Sequence, residues 1–368
     1  MTMYNWQKKE WPHFTFSLEE AEDTLLKIVE KAGLLKGMFK VVSDEIQTET
    51  LIDLMVSEAI KTSEIEGELL SRLDVISSVR KNLGLPVEIT ARDKRAQGIG
   101  SLMIQVRNTF AEPLTEKMLF HWHSLLLGYR NDIETGKWRS QQEPMQVISG
   151  TIGKIKVHFE APPSERVSLE MQEFINWFNE TAPGGKAEIK MAPVRSAIAH
   201  LYFETIHPFE DGNGRIGRAL AEKALSQGFG QPVLLSLSKA IERVKKTYYS
   251  ELEKAQSSLE ISSWINFFVD TISVAQTDAE TELEFTLKKV KFFDKFKQML
   301  NERQLKVINR MLEEGVKGFE GGMNAGKYAA ISNVSKATAT RDLQYLSELK
   351  VFSVNGAGRS TIYQIDLE

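Results

Sequence analysis

Twelve consecutive residues, His207-Pro-Phe-Glu-Asp-Gly-Asn-Gly-Arg-Ile-Gly-Arg218, constrain the fold of this chain more than any other stretch. Ahead of them, Val194 to Ile206 places apolar residues at helical rather than alternating spacing. Pro208 pushes His207 away from helical geometry, so that helix is expected to stop there. Beyond Gly214 an apolar stripe resumes through Ile216, Ala219, Leu220, Ala224 and Leu225, which predicts a second helix. The segment reads as helix, tight loop, helix. Gly212-Asn-Gly-Arg-Ile-Gly217 also spells the dinucleotide-binding fingerprint letter for letter. That fingerprint needs a preceding strand and a βαβ unit around it, and a helix stands there instead. The dinucleotide reading is rejected.

The residue types in the loop point to phosphate chemistry. A Gly-Asn-Gly turn that opens a helix directs backbone N–H groups outward at the positive end of the dipole. Arg215 and Arg218, three apart, project near that end and suit phosphate oxygens. Asp211 is a hard oxygen ligand of the kind Mg²⁺ takes beside phosphates. His207 is the one group of the stretch that accepts a proton at neutral pH. Together these parts suit attack on a nucleotide phosphate. Taken singly, each also fits a capped interhelical loop with salt-bridged surface residues.

The arrangement HPFxDGNGRxxR is the signature of the Fic family, and the sequence resembles it at every fixed position. The resemblance implies transfer of AMP from ATP to a Ser, Thr or Tyr hydroxyl of a protein. It makes His207 the base that deprotonates the hydroxyl and Asp211 the Mg²⁺ ligand. Gly212, Asn213 and Gly214 become the anion hole, Arg215 a β-phosphate contact and Arg218 a γ-phosphate contact. Ile216 and Gly217 fall within the same ATP-binding run, and Phe209 is similar to the family's buried loop anchor. A second match lies upstream: Thr62-Ser-Glu-Ile-Glu-Gly67 has the [ST]xxxE[GN] form of the family's inhibitory helix, with Glu66 as the inhibitory glutamate. Ile52, Met55, Ala59 and Ile60, then Leu69, Leu70 and Leu73, are expected to carry the apolar face of that helix. The plain alternative for Glu66 is a solvated helix carboxylate.

Composition excludes several classes. The 368 residues include no cysteine and six histidines, with a net charge of −4. That length suits two to three domains with full cores. Without cysteine there are neither disulfides nor thiolate metal sites, which is compatible with a reducing cytoplasm, the expected compartment. The opening residues lack the apolar core of a signal peptide, and no apolar run approaches the roughly 20 residues of a membrane span. His121 and His123, two apart on an expected helix, point in different directions, so no structural zinc is expected.

Along the chain, 18–82 and 88–130 read as helices, with Pro113 and Thr115 as start signals in the second run. Tyr4-Asn-Trp-Gln and Trp11-Pro resemble the opening of a segment found ahead of a subset of Fic domains, which is expected to pack on the catalytic domain. From Met145 to Phe159, β-branched residues around two glycines predict a hairpin, followed by a helix over 165–179. The hairpin is similar to the family's flap, whose edge residues Val147, Ile148, Ser149 and Gly150 would dock a target segment. Tyr248 and Tyr249 occupy the place of the paired tyrosines that line the family's nucleotide pocket, and Gln256 that of an amide. Residues 288–368 carry fourteen Lys or Arg against nine Asp or Glu. Three helices, at Glu302–Glu314, Asn324–Ser332 and from a Ser335 cap, then a ribbon over 351–365, resemble a winged helix. Thr338, Thr340, Arg341 and Arg359 would face DNA, and protein docking is the alternative.

The fold expected is mainly α: a Fic-type helical bundle with a β-hairpin flap, plus a small winged-helix-like α/β module. The expected domains are 1–87, 88–287 and 288–368. The function expected is a protein adenylyltransferase using ATP and Mg²⁺, autoinhibited by Glu66. Its partners are a target protein with an acceptor hydroxyl, the chain itself included, and DNA through the last domain, with no membrane. Homodimer formation is left open. Two rivals stand beside this reading. One is a Fic enzyme of different donor or direction, moving UMP or phosphate or removing AMP; the other is a DNA-bound regulator sensing nucleotide.

Overall fold

The computed structural model describes residues 3–87, 89–151, 154–356 and 358–367. The chain divides into one compact unit up to Thr277 and a second from Asp278. In the first unit the helices are α1 (Glu22–Lys40), α2 (Asp44–Ile65), α3 (Arg72–Asn82), α4 (Lys94–Asn108) and α5 (Glu116–Leu127). A hairpin of β1 (Gln146–Thr151) and β2 (Lys154–Glu160) precedes α6 (Ser164–Glu180), α7 (Ala192–Ile206), α8 (Asn213–Phe229), α9 (Leu237–Arg243) and α10 (Lys245–Ala255). The long α11 (Ser262–Phe296) runs through the division. The mainly helical fold expected from sequence is the one observed.

Helix α7 is the centre of the first unit, because every one of its residues is buried. A helix apolar or satisfied all round belongs inside a core. Its arginine is paired accordingly: Arg195 donates to Phe178 O at 2.6 Å and to Thr181 Oγ1 at 3.1 Å. Phe174, Phe178, Tyr202, Phe203 and Phe209 fill the space around it with rings in tilted and edge-on pairs.

The N-terminal segment is laid across this unit. Asn5 is fully buried, with its N–H donating to Gln256 O at 2.8 Å. Trp6 Nε1 donates to Glu160 O and Trp11 Nε1 to Glu170 Oε2, both at 2.8 Å. Residues 1–87 and 88–277 thus fall in one compact unit rather than two.

Two further expectations are corrected. The helix carrying Glu66 does not extend to Leu73. It ends at Ile65, with Gly67 in the left-handed region at φ +84°, and Leu69 and Leu73 are exposed. Glycine takes that conformation at no steric cost, so the break comes where the sequence allows one. The second unit starts ten residues before the expected 288, inside α11, because Phe292 and Phe296 of that helix belong to its core.

The second unit holds α12 (Glu302–Leu312), α13 (Ala325–Ser332), α14 (Lys336–Glu348) and the ribbon β3 (Phe352–Asn355) with β4 (Ile362–Ile365). Asp342 ties its three helices together, accepting from Arg303 Nε at 2.7 Å and from Tyr328 OH at 2.8 Å. Ser335 caps α14 as expected, taking the Thr338 N–H at 3.2 Å. Thr340 and Arg341 are exposed; the Arg359 side chain lies outside the described residues.

Candidate active site

The loop between α7 and α8 is built around a histidine in an unusual backbone conformation. His207 caps α7 at φ 51°, ψ 58°, a left-handed conformation that costs a non-glycine residue roughly 1–2 kcal/mol. Arg139 holds it there. Its Nε donates to His207 O at 2.8 Å, its NH2 to Ile206 O at 3.3 Å and to Pro162 O at 2.5 Å, and its own N–H to Pro208 O at 2.9 Å. One buried guanidinium therefore fixes both the histidine turn and the root of the hairpin.

Phe209, fully buried, anchors the loop from below. His123 stacks on its ring at 4.0 Å and 13°. Gly136 N–H donates to His123 Nδ1 at 3.0 Å, so the proton is on Nε2 and points at Asp211 O, 3.2 Å away. Burial keeps this ring neutral by pulling its pKa down to about 4. Asn213 is a brace as well. Its amide accepts from Phe209 N at 2.9 Å and donates to Phe209 O at 2.8 Å. With that side chain spent on the loop, the backbone of α8's first turn is left to face the cavity, where the anion hole is expected.

That cavity, about 840 Å³, is lined on one side by Gly212, Asn213, Gly214 and Arg218 and on another by Tyr248, Tyr249 and Gln256. His207 and Glu204 form its floor, Val147 and Ile148 of the hairpin its rim, and Glu66 reaches in from the end of α2. His207 is partly exposed to it, and Nδ1 faces Glu204 Oε2 at 3.7 Å. Burial, with the nearby Arg139 charge, holds the His207 pKa down to about 4, so the imidazole is a free base at neutral pH. Burial pushes Glu204 the other way, up to about 8.

Arg218 is almost fully buried and already engaged. Nε donates to Thr62 Oγ1 at 2.7 Å, NH2 to Thr62 O at 3.0 Å and to Glu66 Oε1 at 2.7 Å. Burial opposes its charge most strongly, yet the Glu66 carboxylate together with Tyr248 and Tyr249 outweighs that and raises its pKa. Tyr249 OH donates to Ile65 O at 3.4 Å, and Tyr248 OH meets His200 Nε2 at 2.8 Å. Tyr248 is buried and Tyr249 half-exposed, with both rings on the cavity wall. Gln256 Nε2 donates to Glu204 O at 3.2 Å.

Three expected nucleotide contacts lie elsewhere. Ile216 is fully buried in the core. Gly217 faces α7, where a Cβ would lie 2.4 Å from Glu204 Oε1. Successive helical residues are about 100° apart, so neighbours of Arg218 in sequence need not share its face. Arg215 is paired with Glu68 Oε2 at 2.9 Å and lies 3.5 Å from Asp211 Oδ1, outside the cavity lining.

Asp211 is the expected Mg²⁺ ligand, and no all-protein cage surrounds it: among the described residues no group of three His, Cys, Asp or Glu could hold a metal. Its Oδ1 accepts from Gly212 N–H at 2.6 Å and its Oδ2 pairs with Arg130. Mg²⁺ commonly uses one or two carboxylates with phosphates and water, so Asp211, on the cavity wall, fits an ion that arrives with a triphosphate.

In the hairpin, Val147 pairs with Phe159 and Ile148 with Val157 across a register shift. Ser149 and Gly150 pair with Lys156 and Ile155; the Ser149 side chain lies outside the described residues. Glu253 on α10 latches β2, with Oε2 at 3.0 Å from His158 Nδ1 and Oε1 at 3.7 Å from Lys156 Nζ. Arg139, His123, Arg130 and Glu204 all shape this site, and no spacing rule in the sequence marks them.

This helix–loop–helix cradle is a Fic site. Residues 113–225 match the Fic/DOC family, and residues 4–85 match a domain of unknown function, DUF4172. The protein adenylyltransferase Fic of Culex quinquefasciatus is 26% identical over 210 residues, 56% of this chain and 38% of that protein. The one from Nematostella vectensis is 24% identical over 210 residues, 56% of this chain and 44% of its own. The chain thus spans less than half the length of these relatives. Among solved structures, a Fic family protein from Desulfovibrio desulfuricans G20 superposes with a TM-score of 0.53 at 20% identity, covering 96% of this chain and 98% of that one. Fic-1 (residues 134–508) from C. elegans gives 0.51 at 17%, covering 72% and 74%. The chain carries a Fic/DOC domain over residues 113–225.

Proposed function

We propose that this chain is a protein adenylyltransferase that moves AMP from ATP, with Mg²⁺, to a Ser, Thr or Tyr hydroxyl of a target protein or of itself, and that Glu66 holds it in check. The observation that carries the reading is the meeting, in one cavity, of a neutral imidazole, the N-terminal turn of α8 and an arginine already gripped by a carboxylate. The names of the relatives support the same activity.

The hydroxyl would reach His207 beside the hairpin rim, and the imidazole takes its proton. The oxygen forms its bond to the α-phosphorus as the bond to the bridging β-oxygen breaks, and pyrophosphate leaves. The first N–H groups of α8, unpaired by helix geometry, and the Arg218 guanidinium hold the phosphates. Mg²⁺, held by Asp211, would supply charge neutralisation to the triphosphate. Tyr248 and Tyr249 offer ring faces to the base. Exposed Thr340 and Arg341 on α14 are the positions through which the second unit would meet DNA.

Two labels test the reading. Glu66→Gly protein incubated with ATP labelled at the α-phosphate should label protein, and γ-labelled ATP should not. Label from the γ position would mean phosphate transfer. ATP binding without label from either position would favour the nucleotide sensor.

A further inference from the structure

One buried carboxylate of the first unit lines no part of the cavity. Glu58, on α2 about two helical turns before Glu66, is 4% exposed. Its Oε2 accepts the Ser236 hydroxyl at 2.8 Å and the Ser238 N–H at 2.9 Å, and its Oε1 accepts the Ser238 hydroxyl. Ser236 caps α9, taking the Lys239 N–H at 3.3 Å on the same oxygen that donates to Glu58. A carboxylate taken out of water is tolerated when its lone pairs are filled in this way.

These bonds bear on where α2 ends. Nearer Glu66, Lys61 Nζ lies 3.8 Å from Glu242 Oε2, Lys245 Nζ donates to Glu64 O at 3.3 Å and Tyr249 OH to Ile65 O at 3.4 Å. Those contacts are long, and the Lys61–Glu242 pair is partly exposed, so water competes for it. The Glu58 bonds are shorter, buried and charge-assisted, which makes them the strong ones. Glu58 is therefore the firm polar attachment of α2 to α9. The other firm hold on this end of α2, Arg218 on Thr62 and Glu66, is the one a triphosphate would contest.

We infer that Glu58 is a positioning residue for Glu66: by fixing α2 on α9, it sets where the Glu66 carboxylate meets Arg218 and the first turn of α8. The inference rests on the inhibitory role proposed for Glu66. Glu58 is outside the cavity lining, so it acts on transfer through Glu66. Its loss should loosen the brake, and should do nothing once the brake is gone.

Self-labelling from ATP labelled at the α-phosphate tests this as a cycle of wild type, Glu58→Ala, Glu66→Gly and Glu58→Ala/Glu66→Gly. Glu58→Ala should label several-fold above wild type and below Glu66→Gly. In the Glu66→Gly background the same change should alter the rate and the KM for ATP by less than about twofold. Glu58→Gln keeps an acceptor for the Ser238 N–H and should stay near wild type. Hydrogen exchange at the amides of residues 60–66 should quicken in Glu58→Ala. Should that variant fail to fold, Ser238→Ala removes one donor, leaves α2 intact and should move labelling the same way by less. If Glu66→Gly gains label while Glu58→Ala and Ser238→Ala match wild type, the inference falls and the brake stands. Equal changes in both backgrounds overturn it too, leaving Glu58 a structural support alone. No gain in Glu66→Gly itself would defeat the inhibitory role, and the inference with it.

Discussion

The Glu66 carboxylate lies 2.7 Å from Arg218 NH2 and also fills the space over Gly214, where a Cβ would be 2.3 Å from Glu66 Oε1. It therefore holds two things an incoming phosphate would want: the guanidinium and the positive end of α8. Only a residue without a side chain at 214 lets the carboxylate come so near. Rigid donors make this an exchange, because Arg218 cannot serve Glu66 and a phosphate with the same N–H.

That exchange has a stability signature. Glu66→Gly removes a charge-assisted hydrogen bond from a buried arginine, which should cost about 1–3 kcal/mol. Added ATP should restore the thermal midpoint of the variant by more than it raises that of wild type. Equal shifts in the two proteins would mean that Glu66 and the triphosphate do not compete.

Arg139 should matter to the rate without touching substrate. Arg139→Gln loses the clamp on the left-handed turn at His207, and misplacement of a reacting group by about 1 Å can cost on the order of 10²-fold. Single-turnover transfer should fall at least tenfold while ATP affinity changes little. A variant with the wild-type rate would show that the turn holds itself.

The pH dependence follows from the buried groups. With His207 held near 4 rather than 6.5, kcat/KM of the Glu66→Gly variant should stay flat as pH falls from 6.5 towards 5; a fall centred on 6.5 would mean the base is solvated. Stability moves oppositely for the two neighbours. His207, like His123 and His200, is neutral when folded, with values near 4, 4 and 3. The unfolded chain takes up protons first, and stability is lost as pH drops from 6.5 to about 4. Glu204, near 8 folded against 4.5, keeps a proton the unfolded chain has lost, so its contribution fades as pH rises from 4.5 through 8. Glu204→Gln should flatten that alkaline decline in denaturant midpoints; an unaltered slope would place the titrating group elsewhere.

How far the sequence could be read depends on the range of each interaction. The helices around the motif were legible because Pro208 and the glycines act on their own backbone. Glu66 is legible only through resemblance, and Leu69, Leu70 and Leu73 keep a helical spacing past Gly67, which hides the end of its helix. Ile216 and Gly217 adjoin Arg218 in sequence but not on the helix surface, so membership of the motif does not bring them to the cavity. Arg139 meets His207 across 68 positions and Arg130 meets Asp211 across 81. Contacts closed by folding at such separations leave no local pattern. His123 was seen only as a histidine two from His121, whereas packing buries one and exposes the other.

Arg130 also bears on the cation site proposed at Asp211. Its pair with Asp211 is partly exposed, and such pairs are worth up to about 1 kcal/mol. Arg130→Gln should bind Mn²⁺ alone several-fold more tightly than wild type by electron paramagnetic resonance, and Asp211→Asn should remove the gain. Equal binding by wild type and the Arg130 variant would separate Arg130 from the cation site.

The most direct test compares the intact masses of three proteins after incubation with ATP: wild type, Glu66→Gly, and Glu66→Gly/His207→Ala. The account predicts added AMP on the Glu66→Gly protein well above wild type. It predicts a loss of about 10²–10⁴ in rate when His207 is also removed, with ATP still bound. Wild-type levels of AMP on all three, at unchanged ATP affinity, would contradict both the inhibitory role of Glu66 and the basic role of His207.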